Sequence, residues 1–175
     1  VQGMVALTSN KERTMVVYEG THKLHEDYCW SRNLADEDVG DWVVIDDEMR
    51  DQVYGRRKIL NIPAGTLVLW DSRLFHENQF GPIYDNPEDA EERIVQYVCF
   101  LPKHHPTNTE EEQRKRRKYF NERRNTSHWP YPIVVVPKQP RLYGTVPKPF
   151  SGQIAYEKLK VPNLEKYMSQ IEKLL

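Results

Sequence analysis

Apolar and polar positions alternate with a period of two through much of the first hundred residues, the pattern of half-buried strands. Residues 1–8, "VQGMVALT", and 14–20, "TMVVYEG", read as strands joined by the polar turn "SNKER". Residues 21–30, "THKLHEDYCW", are polar and aromatic and predict a loop or a short helical turn. Residues 41–55 predict a short strand and then about two helical turns, capped by Asp46 or Asp47 and stopped at Gly55. "RRKILNIPAGTLVLWDS" predicts two strands hinged at Pro63, Ala64 and Gly65. The loop "ENQFGPIYDNPEDAEE" then leads to a last strand over 93–101. Short strands with turns between them predict a mainly β sandwich or barrel over residues 1–101.

The pattern changes over 102–175, which reads as a helical and proline-rich extension packed on the core. "TNTEEEQRKRRKYFNERRN" (107–125) predicts a helix capped at Thr107 or Thr109, acidic first and basic later, as the helix dipole favours. Residues 128–150 hold too many prolines for a central strand and are expected to lie extended over the surface. A last helix is predicted after Pro162, with Asn163 as its cap. Leu164, Tyr167, Met168, Ile171, Leu174 and Leu175 form one apolar stripe on it. That stripe is expected to dock on the domain or, failing that, on a protein partner.

Composition narrows the function classes. The 175 residues are 29% charged, and a mean hydropathy of −0.78 predicts a modest core. Lys and Arg total 25 against 26 acidic residues, a net charge of −1, so no nucleic-acid partner is expected and the basic block reads as a solvated helix face. No apolar run approaches the ~18 residues of a membrane span, and no signal-peptide pattern is present. Cys29 and Cys99 lack metal-type spacing and are expected to be buried thiols, which predicts an intracellular, cytoplasmic setting. The chain opens in mid-strand without an initiator methionine, and the expectation is that the polypeptide continues upstream.

Candidate chemistry gathers in "GTLVLWDSRLFHENQ" (65–79), where a strand ends in a dense polar cluster. His76 there and Arg93 at the opening of the next strand are an imidazole and a guanidinium in one short-strand fold. A nitrogen that binds a metal beside a planar fork that binds a carboxylate is one reading; hydrogen bonding within the fold is the other. Asp71 and Arg73 are expected to pair, Trp70 to lie in the core, and Asn78 and Gln79 to be weaker candidates for ligand contact. His22 is expected in loop hydrogen bonds and His104 and His105 in solvent. His128 and Trp129 of "TSHWP" are expected to pack the tail.

Five blocks, "VQGMVALT", "TMVVYEGTHKLHEDY", "GTLVLWDSRLFHEN", "RIVQYVCFLP" and "RRNTSHWP", covering roughly residues 1–132, resemble in sequence and order the phytanoyl-CoA dioxygenase-like family. The resemblance implies an Fe(II)- and 2-oxoglutarate-dependent oxygenase on a double-stranded β-helix, a jelly-roll barrel, with residues 1–101 its C-terminal portion. It implies that His76 is an iron ligand and that Arg93 holds the far carboxylate of 2-oxoglutarate. The implied reaction hydroxylates a small molecule or side chain while the cosubstrate is decarboxylated to succinate. The family's two other ligands come from a His-x-Asp element before the segment matching "VQG", and nothing precedes Val1 here. Three explanations follow: the element lies upstream, the iron site has been lost, or His25-Glu26-Asp27 substitutes for it. A lost site would leave a catalytically silent jelly roll serving binding, structure or assembly.

Overall fold

The computed structural model describes residues 1–34, 42–122, 124, 126–135 and 163–173. They belong to two compact units, Val1–Phe100 and Leu101–Leu175. The first unit holds strands β1 (Gln2–Ala6), β2 (Met15–Tyr18), β3 (Arg57–Ile59), β4 (Leu67–Trp70), β5 (His76–Asn78) and β6 (Val95–Cys99), of which β2 and β6 are the richest in β-branched and aromatic residues. They pair antiparallel in two sheets of three, ordered β4-β1-β6 and β3-β2-β5. β1 runs in register with β4 through Gly3↔Leu69 and with β6 through Gly3↔Val98. β2 pairs with β5 through Val17↔His76.

The register sorts side chains by face. Met4, Ala6 and Trp70 of the first sheet cluster with Met15 and Ile62, so the two sheets bury facing sides against each other. Gly3 points the other way, where a Cβ would stand 2.6 Å from Leu69 Cδ2 and 2.9 Å from the Val68 carbonyl oxygen. The expected hinge is a turn at Gly65, whose φ of 81° suits glycine.

The outer face of the second sheet is covered by helices. Val16 and Tyr18 cluster there with Tyr28, Val53 and Phe75. Tyr28 comes from α1 (His25–Ser31) and Val53 from α2 (Asp47–Val53). Asp46 is the α2 cap, its carboxylate accepting the Met49 N–H at 2.8 Å. Residues 42–46 form no strand, contrary to the pattern; their apolar members Val43 and Ile45 pack on this helical layer.

The architecture corrects the mainly β expectation. Among the described residues helix, at 30%, outweighs strand, at 21%, because the polar-aromatic stretch after β2 and the charged stretch after Pro102 both coil. The sheets do not close into a barrel: β3, β4, β5 and β6 each keep an unpaired edge among the described residues. Cys29 and Cys99 form no disulfide among the described residues and are half-buried rather than buried.

The second unit is built on α3 (Glu110–Asn121), capped by the Thr109 hydroxyl, which accepts the Glu112 N–H at 3.3 Å. Glu112 in turn accepts the Ile133 N–H at 2.7 Å, and Arg116 donates to the Pro130 carbonyl at 2.8 Å. Tyr131 is buried, donates to the Pro102 carbonyl at 2.6 Å and stacks on His105. A short α4 (Met168–Ile171) follows, with Leu164, Met168 and Ile171 half-buried along one side. Leu174, Leu175 and most of the proline-rich stretch lie outside the described residues. No helix among those described is long and apolar enough to cross a membrane.

One buried hydroxyl ties β2 to β5. Thr21 is fully buried; its hydroxyl donates to the Tyr18 carbonyl at 2.7 Å and accepts the Phe75 N–H at 3.0 Å. Thr21→Val keeps the volume and orphans that N–H, so a loss of about 1–3 kcal/mol is expected in urea unfolding. A stability unchanged from the parent would show that the bridge contributes nothing.

Candidate functional site

β5 is the element the sequence pattern concealed, since its three residues, His-Glu-Asn, are all polar. Period-two geometry sends His76 and Asn78 toward the first sheet and Glu77 to the opposite face. The His76 ring meets the Trp70 ring edge-on, centroids 5.4 Å apart. Its Nδ1 lies 2.7 Å from the Leu74 carbonyl oxygen. A carbonyl only accepts, so Nδ1 carries a proton, and Nε2 is the ring nitrogen left for a metal.

Arg93 approaches the same interior from the other sheet. β6 begins at Val95 rather than at 93 as the pattern predicts, and Arg93 stands two residues before it, in phase with its inward-facing Val95 and Tyr97. Its Nη2 donates to the Tyr97 hydroxyl at 3.4 Å and contacts Met4 Sδ at 3.7 Å. The Tyr97 hydroxyl donates to Asn78 Oδ1 at 3.2 Å. A polar chain therefore runs from Arg93 through Tyr97 to Asn78, two residues along β5 from His76. The structure thus links the two predicted residues through neighbouring side chains, with Arg93 half-buried and His76 exposed.

Arg93 lacks what a half-buried guanidinium ordinarily has. It joins no ion pair among the described residues, and its Nε is buried without a hydrogen-bond partner. Uncompensated cations in such places are costly unless an anion meets them. Arg93, Asn78 and Gln79 line a cleft of about 560 Å³ with the loop that follows β5. His76 does not line this cleft and stands about 7 Å along the strand from Asn78.

The rest of the polar cluster is structural. Arg73 grips Asp71 through two side-chain bonds of 3.0 and 2.8 Å and holds its carboxyl well below the usual carboxylate range. Glu77 accepts from Tyr18 at 3.1 Å and from Arg57 at 3.4 Å. Burial, then the Glu77 carboxylate, pushes the Tyr18 hydroxyl up. His104 and His105 are exposed, and the Trp129 indole N–H is buried without a partner.

The His25-x-Asp27 alternative is overturned. These residues lie on helix α1, where positions two apart point about 200° away from each other around the axis. His25 instead approaches the Cys29 sulfur at 3.9 Å, and no three His, Cys, Asp or Glu groups among the described residues could hold a metal ion.

Sequence reasoning missed the stitching of the loop between β5 and β6. Glu91 accepts three consecutive backbone N–H groups, from Lys11 at 2.7 Å, Glu12 at 2.8 Å and Arg13 at 2.6 Å. Tyr84 donates to the Glu12 carboxylate at 2.6 Å, and Gln79 donates to the Glu12 carbonyl at 2.8 Å. Nothing in the local pattern signals these partners. Tyr97, by contrast, was findable, because it shares the inward alternation with Arg93.

Burial pushes the Glu91 carboxyl up, but the N–H groups of Arg13, Lys11 and Glu12 together outweigh it and hold it below the ordinary glutamate value of 4.5. A depressed carboxyl contributes stability above its ordinary value and loses it as pH falls through the folded-state value. Urea midpoints should fall as pH drops below 4.5, and less steeply in Glu91→Gln, which should also be less stable at neutral pH. Parallel pH profiles for the two proteins would refute the role given to this carboxylate.

Compared with protein-family models, with curated proteins and with solved structures, the chain finds no match in any of the three.

Proposed function

We propose that the chain is the C-terminal portion of an Fe(II)- and 2-oxoglutarate-dependent oxygenase of the phytanoyl-CoA dioxygenase-like kind, with Arg93 binding the cosubstrate's far carboxylate and His76 supplying one iron ligand. The observation that carries the reading is the half-buried Arg93 guanidinium, without an acidic partner among the described residues and facing a cleft that holds no acidic lining residue. Strand order adds support. Each middle strand, β1 or β2, is flanked by strands from much later in the chain, and the two sheets face each other, as strands of a jelly roll do.

The residues present suit the cosubstrate's carboxylate, whereas for the metal they offer a single ligand. The guanidinium offers its orphaned Nε–H and the fork beside it to a carboxylate, while Tyr97 and Met4 hold the other edge. His76 presents a lone-pair nitrogen fixed by the Leu74 carbonyl. The further histidine and carboxylate of the family's ligand set do not stand beside His76 among the described residues, so the reading requires them from elsewhere in the polypeptide. A keto diacid anchored at Arg93 would have to reach along β5 to bring its keto-acid end to His76. Iron with 2-oxoglutarate would supply oxidative hydroxylation there. This chain's own contribution is to hold the diacid, orient the imidazole against Trp70 and keep water from the interior between the sheets.

A second reading draws on a different feature. Leu7, Leu67, Leu69, Ile94 and Phe100 are all 45% exposed or more, and on the β4-β1-β6 sheet they alternate with the inward-facing residues. A silent jelly roll would use such a face for binding or assembly.

The test is succinate release by the intact protein supplied with Fe(II), ascorbate and 2-oxoglutarate. His76→Ala should abolish turnover. Arg93→Gln should raise the 2-oxoglutarate concentration for half-maximal rate about 10- to 100-fold, the value of one charge-assisted contact. Turnover surviving His76→Ala would sink the metal assignment, and no turnover or metal uptake by the intact protein would leave the silent module.

A further inference from the structure

The cleft beside Arg93 contains a second cation that the proposed reaction does not use. Arg13 lines it, its stem against the loop so closely that a Cβ on Gly81 would stand 3.2 Å from Arg13 Cγ. The Arg13 guanidinium has no partner among the described residues. The acidic groups that flank it in space are committed elsewhere: Glu91 to the three backbone N–H groups, Glu12 to the Tyr84 hydroxyl. Two guanidiniums thus face one cleft without a carboxylate in its lining. Electrostatics favours an anion at each.

The same cleft has an apolar rim. Phe80 is 85% exposed and Ile83 fully so, with Pro82 between them. Large apolar side chains held out in water beside a concave surface commonly mark what a ligand covers. The segment bearing them is pinned on both sides, by Gln79 and Tyr84 on Glu12 and by Glu91 on the turn over residues 11–13, so the rim is held in place before any ligand arrives. The cleft, at about 560 Å³, also has room beyond a small diacid.

We infer that Arg13 is the anchor of a second subsite, taking the anionic group of a substrate whose apolar body lies against Phe80, Pro82 and Ile83. The substrate class is an amphipathic monoanion, a carboxylate on a hydrocarbon frame. The inference rests on the oxygenase reading only in giving Arg93 to the cosubstrate; Arg13 and the apolar rim stand on their own geometry.

Titration calorimetry of the intact protein with decanoate, decanol and 2-oxoglutarate tests it. Decanoate should bind with or without saturating 2-oxoglutarate, and about tenfold more tightly than decanol. Arg13→Gln should weaken decanoate about tenfold and leave 2-oxoglutarate unchanged, and Arg93→Gln should do the reverse. Phe80→Ser with Ile83→Ser, both at exposed positions that folding does not need, should weaken decanoate and decanol alike. Displacement of decanoate by 2-oxoglutarate, with Arg13→Gln weakening both, would show one diacid spanning both guanidiniums and overturn the second subsite while sparing the oxygenase. Decanoate affinity indifferent to Arg13→Gln would overturn it outright. Arg13-dependent decanoate binding in a protein that ignores 2-oxoglutarate would uphold the subsite and remove the oxygenase reading.

Discussion

The apolar layer between the two sheets is what the core unit depends on, because it alone turns six short strands into one object. Met4 and Ala6 are wholly buried and Met15 nearly so, and Ile62 and Trp70 complete the layer. None of these strands could stand alone; sheets of two or three strands need a second surface against which to bury an apolar face. That requirement fixes the register, since a slip of one residue would turn Met4 outward and bring Gly3 in. Through the register it also fixes which polar side chains are carried inside.

His76, Asn78, Arg93 and Tyr97 stand at the margin of that layer on that account, the first two exposed and the last two half-buried. They share the alternation of Trp70, Val95 and Met15, the apolar residues that hold the sheets together. A polar chain at the margin of an apolar layer is stabilised only where its members satisfy one another, and Asn78, Tyr97 and Arg93 do so in sequence. The unsatisfied remainder is the buried Nε of Arg93. Leaving one donor unpaired next to a cleft is a cost to folding.

The second helical layer has a different task. Tyr28, Val53 and Phe75 cover the outer face of the β3-β2-β5 sheet, and the Thr21 hydroxyl connects that layer to the residue just before β5. The imidazole is thus held from behind by a buried threonine, from its own backbone by the Leu74 carbonyl and from the front by Trp70. The loop between β5 and β6 is equally constrained, at Glu91, so a stitched segment joins His76 on β5 to Arg93 just before β6.

Strand alternation, the Asp46 and Thr109 caps and the turn at Gly65 were legible in the sequence because each depends on neighbours within a few residues. His76 and Arg93 stood out for the same reason, as polar residues at the ends of apolar alternations. β5 was not legible, since His-Glu-Asn has no apolar member and becomes a strand only by pairing with β2. Nor was the helical fate of His25 and Asp27, which separates two residues that a strand would have set side by side. The partners of Glu91 and the cleft that Arg13 lines belong wholly to tertiary structure: a carboxylate some 80 residues away in sequence finds three backbone donors, and the Arg13 guanidinium beside them has no partner among the described residues. Local chemistry can name the side chains able to act, but only the packing of distant strands decides which of them are left without partners and so remain available to a ligand.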